Sequence, residues 1–271
     1  MIAFADPPLS TPVAATQRDY LSWSAITTFQ KCPLKYFYRY LDDAPEEFGS
    51  VNLLFGKAVH AALEHHFQAR LAGEPVPSPE DLLAAYDREW TGVDLAWVHW
   101  GSESAASLRG MASRMLTAFQ GSPAAQPDGR VLALEEEVRG SLLPDTPDLL
   151  GRIDLVLETS DSLNIVDFKT SRSRWSAEQV AESSGQLLLY SQLAGDLANK
   201  PVQLSFVVLT KTKTPDVAVH EVPFDARLLD RTLRIIEHVW YSISVGNFYP
   251  VPSVMNCPSC PFRGRCAAWI G

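Results

Sequence analysis

Apolar residues in the first half of the chain recur every three or four positions, which is the spacing of one face of an α-helix. Trp23, Ile26 and Phe29 show this spacing and follow Ser22 and Ser24, which are suitable N-cap residues. The same pattern predicts helices that begin at Pro33, cover residues 53–71, begin at the capping-box sequence 78–81, and contain Leu108, Met111, Met115 and Phe119. The first half is therefore predicted to be helical.

The period changes in the middle of the chain, where apolar residues alternate or form short continuous runs. Strands are predicted over 131–138, 149–158, 163–170, 204–210 and 217–222, and helices over 176–198 and 226–245. This order predicts an α/β fold with a central mixed sheet flanked by helices. We expect a loose tail and one domain, with boundaries at 1–19 (tail), 20–125 (helical part), 126–248 (core) and 249–271 (cysteine-rich tail).

Two aspartates are predicted to face each other across a hairpin. A four-residue turn at 159–162 joins two predicted strands, and in that register Asp154 stands opposite Asp167. Directly opposed Cβ atoms lie about 4.5–5.5 Å apart, where two negative charges repel unless a divalent cation lies between them. Lys169 shares a face with Asp167 and can stabilise charge on a phosphate, and Arg152 is predicted opposite Lys169. The competing interpretation is an exposed hairpin with polar side chains on its solvent face.

The four cysteines lie at opposite ends of the chain: Cys32 near the start, and Cys257, Cys260 and Cys266 near the end. Two cysteines separated by two residues can chelate one metal centre, and the others complete a four-thiolate shell, which zinc and an iron–sulfur cluster both accept. Disulfides are disfavoured because the sequence shows no export signal. Such a site would clip the N-terminal helical region to the C-terminal tail, and spacing does not choose between zinc and iron.

Composition narrows the class of protein. The chain has 271 residues, with 23 Lys and Arg against 32 Asp and Glu, so its formal net charge is −9. This acidity argues against a protein whose whole surface coats nucleic acid, but it allows a local basic groove. No apolar run approaches the ~20 residues that a membrane-spanning helix needs. We therefore expect a cytoplasmic protein with no membrane partner.

Six short motifs occur in a specific order along the chain. They are S-W-S-A-I-T-T-F-Q-K-C-P-L-K-Y-F-Y-R-Y at 22–40, G-K-A-V-H at 56–60, G-R-I-D at 151–154, D-F-K at 167–169, Q-L-L-L-Y at 186–190 and C-P-S-C-P-F-R-G-R-C at 257–266. Together they resemble the RecB-like branch of the PD-(D/E)XK nucleases, specifically the members with an iron–sulfur cluster, such as the CRISPR adaptation nuclease and the nuclease domain of AddB. The resemblance covers about residues 20 to 268.

The resemblance implies a restriction-endonuclease-like core and a metal-dependent active site. His60, Asp154 and Asp167 would hold Mg²⁺ or Mn²⁺ together with the backbone carbonyl of Phe168. Lys169 would be the catalytic lysine. The chain is longer than a minimal stand-alone nuclease of this kind, and the additional sequence, at about residues 74–125, is predicted to be helical.

The resemblance also assigns two motifs that carry little information alone. Gln186 and Tyr190 would lie by the DNA and support the site. The cluster would be 4Fe–4S, with Cys32, Cys257, Cys260 and Cys266 as its ligands. The aromatic residues interleaved with Lys35 and Arg39 are compatible with stacking on single-stranded bases, with core packing as the alternative; they are Tyr36, Phe37, Tyr38 and Tyr40.

The expected function is a metal-dependent deoxyribonuclease that acts on DNA ends or single strands as an exonuclease, in DNA repair, CRISPR adaptation or phage defence. A helicase or integrase could be its partner. One alternative is a non-catalytic DNA-binding or assembly subunit, against which the intact Asp154, Asp167 and Lys169 set argues. The other is an endonuclease effector in defence. Glu135 and Glu137 are possible further acidic ligands that the motifs do not align.

Overall fold

The computed structural model describes residues 18–195 and 200–269. Its strands are β1 (Tyr20–Ser22), β2 (Gly49–Ser50), β3 (Val98–His99), β4 (Arg130–Gly140), β5 (Asp148–Glu158), β6 (Leu163–Ser171), β7 (Val202–Thr210) and β8 (Val217–Val222). Its α-helices are α1 (Trp23–Lys31), α2 (Pro33–Tyr40), α3 (Val51–Ala72), α4 (Pro79–Arg88), α5 (Ala105–Gln120), α6 (Ala177–Ser183), α7 (Gly185–Leu193), α8 (Ala226–Ser244) and α9 (Arg263–Ala267).

Among the described residues, a six-stranded mixed sheet forms the centre of the fold. The strand order along the sheet is β1-β5-β6-β7-β8. The sixth strand, β4, lies outside this order and is also hydrogen-bonded to β5. The pairs β4–β5, β5–β6 and β7–β8 are antiparallel, whereas β1–β5 and β6–β7 are parallel. The helices α6 and α7 form the crossover between the parallel strands β6 and β7. The predicted α/β fold with a mixed central sheet is therefore confirmed.

Helices cover both faces of this sheet because most strand residues alternate between two apolar surfaces. On one face, Phe168 of β6 packs in a core with Phe67 of α3 and residues of α4 and α5. On the other face, Ile165 packs in a second core with Leu188 of α7 and Ile236 of α8. The two cores place α3 and α7 on opposite sides of the same strands. Groups from both helices can therefore reach one edge of β5 and β6.

Two predicted boundaries differ from the structure. The helix predicted over 176–198 is divided at Ser184, where α6 ends and α7 begins; its last positions, 196–199, lie outside the described residues. Residues 1–17 of the predicted tail also lie outside them. Arg18 and Asp19 were assigned to that tail, but the Arg18 guanidinium lies 4.7 Å from the ring centroid of Tyr20, and Asp19 pairs with Arg139. These contacts hold both residues against the folded chain.

The extra helical segment, residues 74–125, packs behind the helix that carries His60. Ser78 and Asp81 form a capping box at the start of α4, as the sequence predicted. Within the segment, β3 pairs in parallel with β2, the short strand directly before α3. The ring of Trp97 lies so close to Gly49 of β2 that a Cβ there would lie 2.4 Å from it. The segment therefore supports the start of α3 from one side.

Candidate functional site

The β5–β6 hairpin has the register that the sequence predicted. Thr159 donates its backbone N–H to the carbonyl of Ser162 (2.9 Å), which closes the four-residue turn. The paired residues run from Glu158–Leu163 to Leu155–Val166. Asp154 and Asp167 lie at the next position, where the ladder ends. The two carboxylates thus meet at the point where the strands begin to separate.

Where the two strands separate, the side chain of Asp154 accepts a hydrogen bond from the backbone of β6. The backbone N–H of Phe168 donates to Asp154 Oδ2 at 2.7 Å. A backbone amide fixes the orientation of the carboxylate without a mobile partner, which is the kind of preorganisation that a metal ligand needs. The amide of Phe168 is therefore a positioning group, and the role of its carbonyl as a ligand stays a prediction.

Asp167, Lys169 and two residues of α7 form one hydrogen-bonded network. Lys169 Nζ lies 2.5 Å from Asp167 Oδ2 and donates to Gln186 Oε1 at 3.0 Å. The amide nitrogen of Gln186 lies 2.9 Å from Asp167 Oδ1 and 2.9 Å from the Tyr190 hydroxyl. The Q-x-x-x-Y motif thus fixes both the carboxylate and the lysine, because residues one helical turn apart face the same way.

Burial dominates the electrostatics of Asp167, which is 2% exposed. Burial raises the pKa of Asp167 to about 6; the charge of Lys169 opposes this shift, and Asp154 adds to it. A cation beside the carboxylate would favour its ionised form. Asp167 is therefore suited to a site that gains a positive charge on binding its ligand.

Gly151 and Tyr190 explain why α7 lies so close to β5. A Cβ at Gly151 would lie 2.6 Å from Tyr190 Cε1, so only glycine permits this approach. Tyr190 is buried, and burial raises its pKa to about 12, so its hydroxyl stays protonated. The glycine of the G-R-I-D motif is thus required for packing of the Q-x-x-x-Y helix.

His60 reaches the site from α3, on the opposite face of the sheet. Its Nδ1 lies 3.5 Å from Asp154 Oδ2, and its ring meets the ring of Phe168 edge-on with centroids 6.3 Å apart. Burial acts to lower the pKa of His60, but the hydrogen bond and negative charge of Asp154, with the charge of Asp167, outweigh it and raise the pKa. The predicted histidine therefore lies beside the predicted aspartates.

Glu135 of β4 also lies at this site. Ligand atoms of His60, Glu135 and Asp154 all lie within 4.8 Å of one another. Arg152, which the sequence predicted opposite Lys169, instead donates from Nε to Glu135 Oε2 at 2.6 Å. That prediction was wrong because the β5–β6 ladder ends at Leu155, before it reaches Arg152. Sequence reasoning left Glu135 out because a long loop between β4 and β5 does not determine their register.

The donor set fits a hard divalent cation. It contains three carboxylates and one imidazole, and Mg²⁺ and Mn²⁺ prefer oxygen ligands with at most a few nitrogens. A cavity of about 510 Å³ opens beside it, lined by residues that include Gly56, Lys57, His60, Glu135 and Arg152. The cavity gives a ligand access to His60 and Glu135 from solvent.

The two ends of the chain pack together around the four cysteines. Leu34 donates its N–H to the carbonyl of Tyr249 (3.0 Å), and Glu47 donates its own to Pro261 (3.0 Å). Phe262 is buried, 5.7 Å from the ring centroid of Tyr38. These contacts join α2 and the segment after it to the C-terminal tail.

The cysteine side chains are all free thiols and half-buried. Burial raises the pKa of Cys266, and negative charge on Cys32, Cys260 and Cys257 raises it further. In the described part of the chain, no three of the sulfur atoms lie within 4.8 Å of one another. Ser253 donates its N–H to Cys257 Sγ at 3.2 Å. Thiolates are the ligands that structural zinc sites and iron–sulfur clusters use, so the donor type is compatible with either centre.

Of the four aromatic residues around Lys35 and Arg39, one lies in the core and the other three are half-buried. Tyr36 is fully buried, and burial raises its pKa to about 12. Phe37 lies 5.2 Å from the ring centroid of Phe248. Tyr36 and Phe37 thus pack against Phe248, as the core-packing alternative predicts. Stacking of Tyr38 and Tyr40 on bases stays a prediction.

Comparison with known proteins agrees with this geometry. Residues 20–267 match the family described as the PD-(D/E)XK nuclease superfamily, and the chain belongs to that superfamily. It is a nuclease by family. No curated protein matches the chain.

One solved structure shows the same fold. A crystal structure from Eubacterium rectale named "Putative exonuclease" is 15% identical and superposes with a TM-score of 0.61, covering 98% of this chain and 94% of that one. The crystal structure of SSO0001 is also 15% identical, covering 92% of this chain and 96% of that one, but its TM-score of 0.38 is too low to indicate a shared fold. Within residues 18–195 and 200–269, no helix has the length and apolar character to cross a membrane.

Proposed function

We propose that this chain is a Mg²⁺- or Mn²⁺-dependent deoxyribonuclease of the RecB-like branch that removes nucleotides from DNA ends or single strands. The observation that carries the proposal is the meeting of His60, Asp154, Asp167 and Lys169 at one edge of the sheet, in a chain of the PD-(D/E)XK superfamily. The structural neighbour named as an exonuclease supports the choice of an exonuclease.

His60, Asp154 and Asp167 would hold the metal, with the carbonyl of Phe168. When bound, the metal would lower the pKa of a water molecule and polarise the scissile phosphate. In the hydrolysis, a bond forms between the water oxygen and phosphorus, and the bond to the leaving oxygen breaks. Lys169 is held by Asp167 and Gln186, so its ammonium can orient the water and offset charge that develops on the phosphate.

The cysteines would hold a 4Fe–4S cluster with a structural role. Four thiols from both ends of the chain, already joined by backbone hydrogen bonds and aromatic packing, support this assignment. The cluster would clip the N-terminal helical region to the tail. A cytoplasmic location and a helicase or integrase partner belong to the same proposal.

The test is degradation of end-labelled single-stranded DNA by protein purified without oxygen, with Mn²⁺ or Mg²⁺ and with a chelator. We expect metal-dependent cleavage that Lys169→Ala reduces by about 10²- to 10³-fold, which is the typical loss for a group that stabilises the transition state. A covalently closed circle should resist the protein. Cutting of the circle would identify an endonuclease instead.

Lys200→Ala is the matched control, because Lys200 lies just before β7, at the end of the sheet remote from Lys169, and pairs with Glu158. It removes the same charge from a distant position and should cleave like the wild type. Cleavage that persists in Lys169→Ala would mean that the active site is misplaced. No cleavage by folded wild-type protein, with or without metal, would favour a binding subunit.

A further inference from the structure

Glu135 lies beside the candidate metal site and does not belong to the family motifs. In the β4–β5 ladder, it stands opposite Asp154, between the pairs Leu134–Leu155 and Glu136–Ile153. Its side chain is 18% exposed, although the next two glutamates on β4 are exposed. Its carboxylate lies within 4.8 Å of ligand atoms of His60 and Asp154. The fold therefore buries a third carboxylate between two predicted ligands.

The backbone of β4 is distorted at this residue. Glu135 has φ of 51°, a left-handed conformation that favours glycine and strains other residues. In a regular strand Leu134 and Val138 would share a face, but here they belong to the cores on opposite faces of the sheet. The alternation of side chains between the two faces of the sheet is therefore interrupted between Leu134 and Val138, where Glu135 lies.

The partner strand shows the matching irregularity. Ile153 and Leu155 are also two positions apart, and they also belong to opposite cores. The break lies at Asp154, directly across from Glu135. Two paired strands thus reverse their alternation at the same pair of acidic residues. This distortion brings both carboxylates close to His60, and Glu135 lines the cavity of about 510 Å³ that opens there.

Charges around Glu135 are consistent with a ligand. Burial raises its pKa, and the charge of Asp154 raises it further, while Arg152 opposes the shift. Arg152 itself is largely exposed, so it can move away from the carboxylate. A metal ion could therefore replace Arg152 as the partner of the Glu135 carboxylate.

We propose that Glu135 is a direct ligand of the divalent metal, completing a His60–Glu135–Asp154 group that binds the ion from the cavity side. The inference rests on the proposed function, because it assumes that a divalent metal binds here. It adds a ligand from β4 to the set that the motifs imply.

The experiment measures Mn²⁺ binding to the full chain by titration calorimetry, with free Mn²⁺ followed by electron paramagnetic resonance. We expect Glu135→Gln to weaken Mn²⁺ binding by at least ~10-fold, the least expected for removing a group that contacts the metal. Glu136→Gln is the matched control, since it makes the same change at the next residue of β4, which is exposed. It should bind Mn²⁺ like the wild type.

A third variant separates a ligand from a structural ion pair. Arg152→Gln breaks the same pair but keeps the carboxylate, so it should retain or increase Mn²⁺ affinity. The inference is overturned if Arg152→Gln loses as much affinity as Glu135→Gln, or if Glu135→Gln binds within twofold of the wild type while Asp154→Asn does not bind. Failure of wild-type protein to bind Mn²⁺ would overturn the metal site of the proposed function as well. Glu135→Asp replaces Glu135→Gln if the latter fails to fold.

Discussion

The candidate metal site and the cysteine region are assembled in opposite ways. In the metal site, the hairpin register sets Asp154 and Asp167 next to each other, and a backbone amide and Gln186 hold them in place. In the cysteine region, Cys32 and the other three thiols come from the two ends of the chain. The first site is organised by one sheet, whereas the second depends on docking of distant segments.

Because of this difference, we expect the loss of a ligand residue to have different consequences in the two regions. The metal site collects buried acidic groups whose mutual repulsion a cation would relieve, so it should gain most from its ligand through electrostatics. The cysteine region contains half-buried thiols on short segments, so a bound cluster would contribute directly to folding stability. Loss of one ligand should therefore remove activity in the first case and stability in the second.

The largest expected effect comes from variants that separate the two regions. Asp154→Asn should abolish Mn²⁺ binding and reduce cleavage to the level of metal-free protein while leaving iron content unchanged, because its position depends on the sheet alone. Cys32→Ala should lose iron and visible absorbance, and its Tm should fall by roughly 5–10 °C, which corresponds to about 2–3 kcal/mol at this chain length. Iron analysis, Mn²⁺ titration and calorimetry check both. Loss of iron in Asp154→Asn would show that the regions are coupled.

An intermediate effect is expected at Gly151, which belongs to the metal site but contacts no metal. Gly151→Ala places a Cβ 2.6 Å from the Tyr190 ring, so α7 must shift away from β5. Because Gln186 on that helix holds Lys169, we expect cleavage to fall by about 10- to 100-fold. Gly140→Ala is the control on the neighbouring strand, where a Cβ would lie 3.4 Å from Leu193. Unchanged cleavage in Gly151→Ala would mean that the α7 network does not position the lysine.

The smallest effect concerns the pH dependence of stability without divalent cations. The folded-state pKa of Asp167 is about 6 against an ordinary value of 3.8, so the folded protein holds this proton more tightly than the unfolded chain. Its contribution is complete below about pH 4 and is lost as the pH rises through about 6. The raised pKa of His60 acts in the same direction at higher pH.

Asp167→Asn removes this titration. Denaturation of metal-free protein between pH 4 and 7 should show the variant becoming more stable relative to the wild type as the pH rises. Saturating Mn²⁺ should reverse that order, because only the wild type keeps the carboxylate. A stability difference that stays constant over this range would show that Asp167 titrates normally.

The local sequence pattern was sufficient to predict most elements of the fold and part of the candidate metal site. The strand and helix order follows from hydrophobic periodicity, and the four-residue turn determined the register that joins Asp154 and Asp167. A one-residue slip would have turned every apolar side chain of the hairpin to the wrong face, so the pattern strongly constrains this register. The spacing of Gln186 and Tyr190 likewise placed them on one helical face.

Tertiary structure alone decided how separate elements meet. Residues 141–147 between β4 and β5 allow several registers, so the sequence did not show that Glu135 faces Asp154 or that Arg152 pairs with Glu135. The contact between Tyr190 and Gly151 likewise depends on how α7 docks on the sheet. Neighbours along the chain are determined by backbone geometry, whereas these contacts arise from the packing of two cores on opposite faces of one sheet.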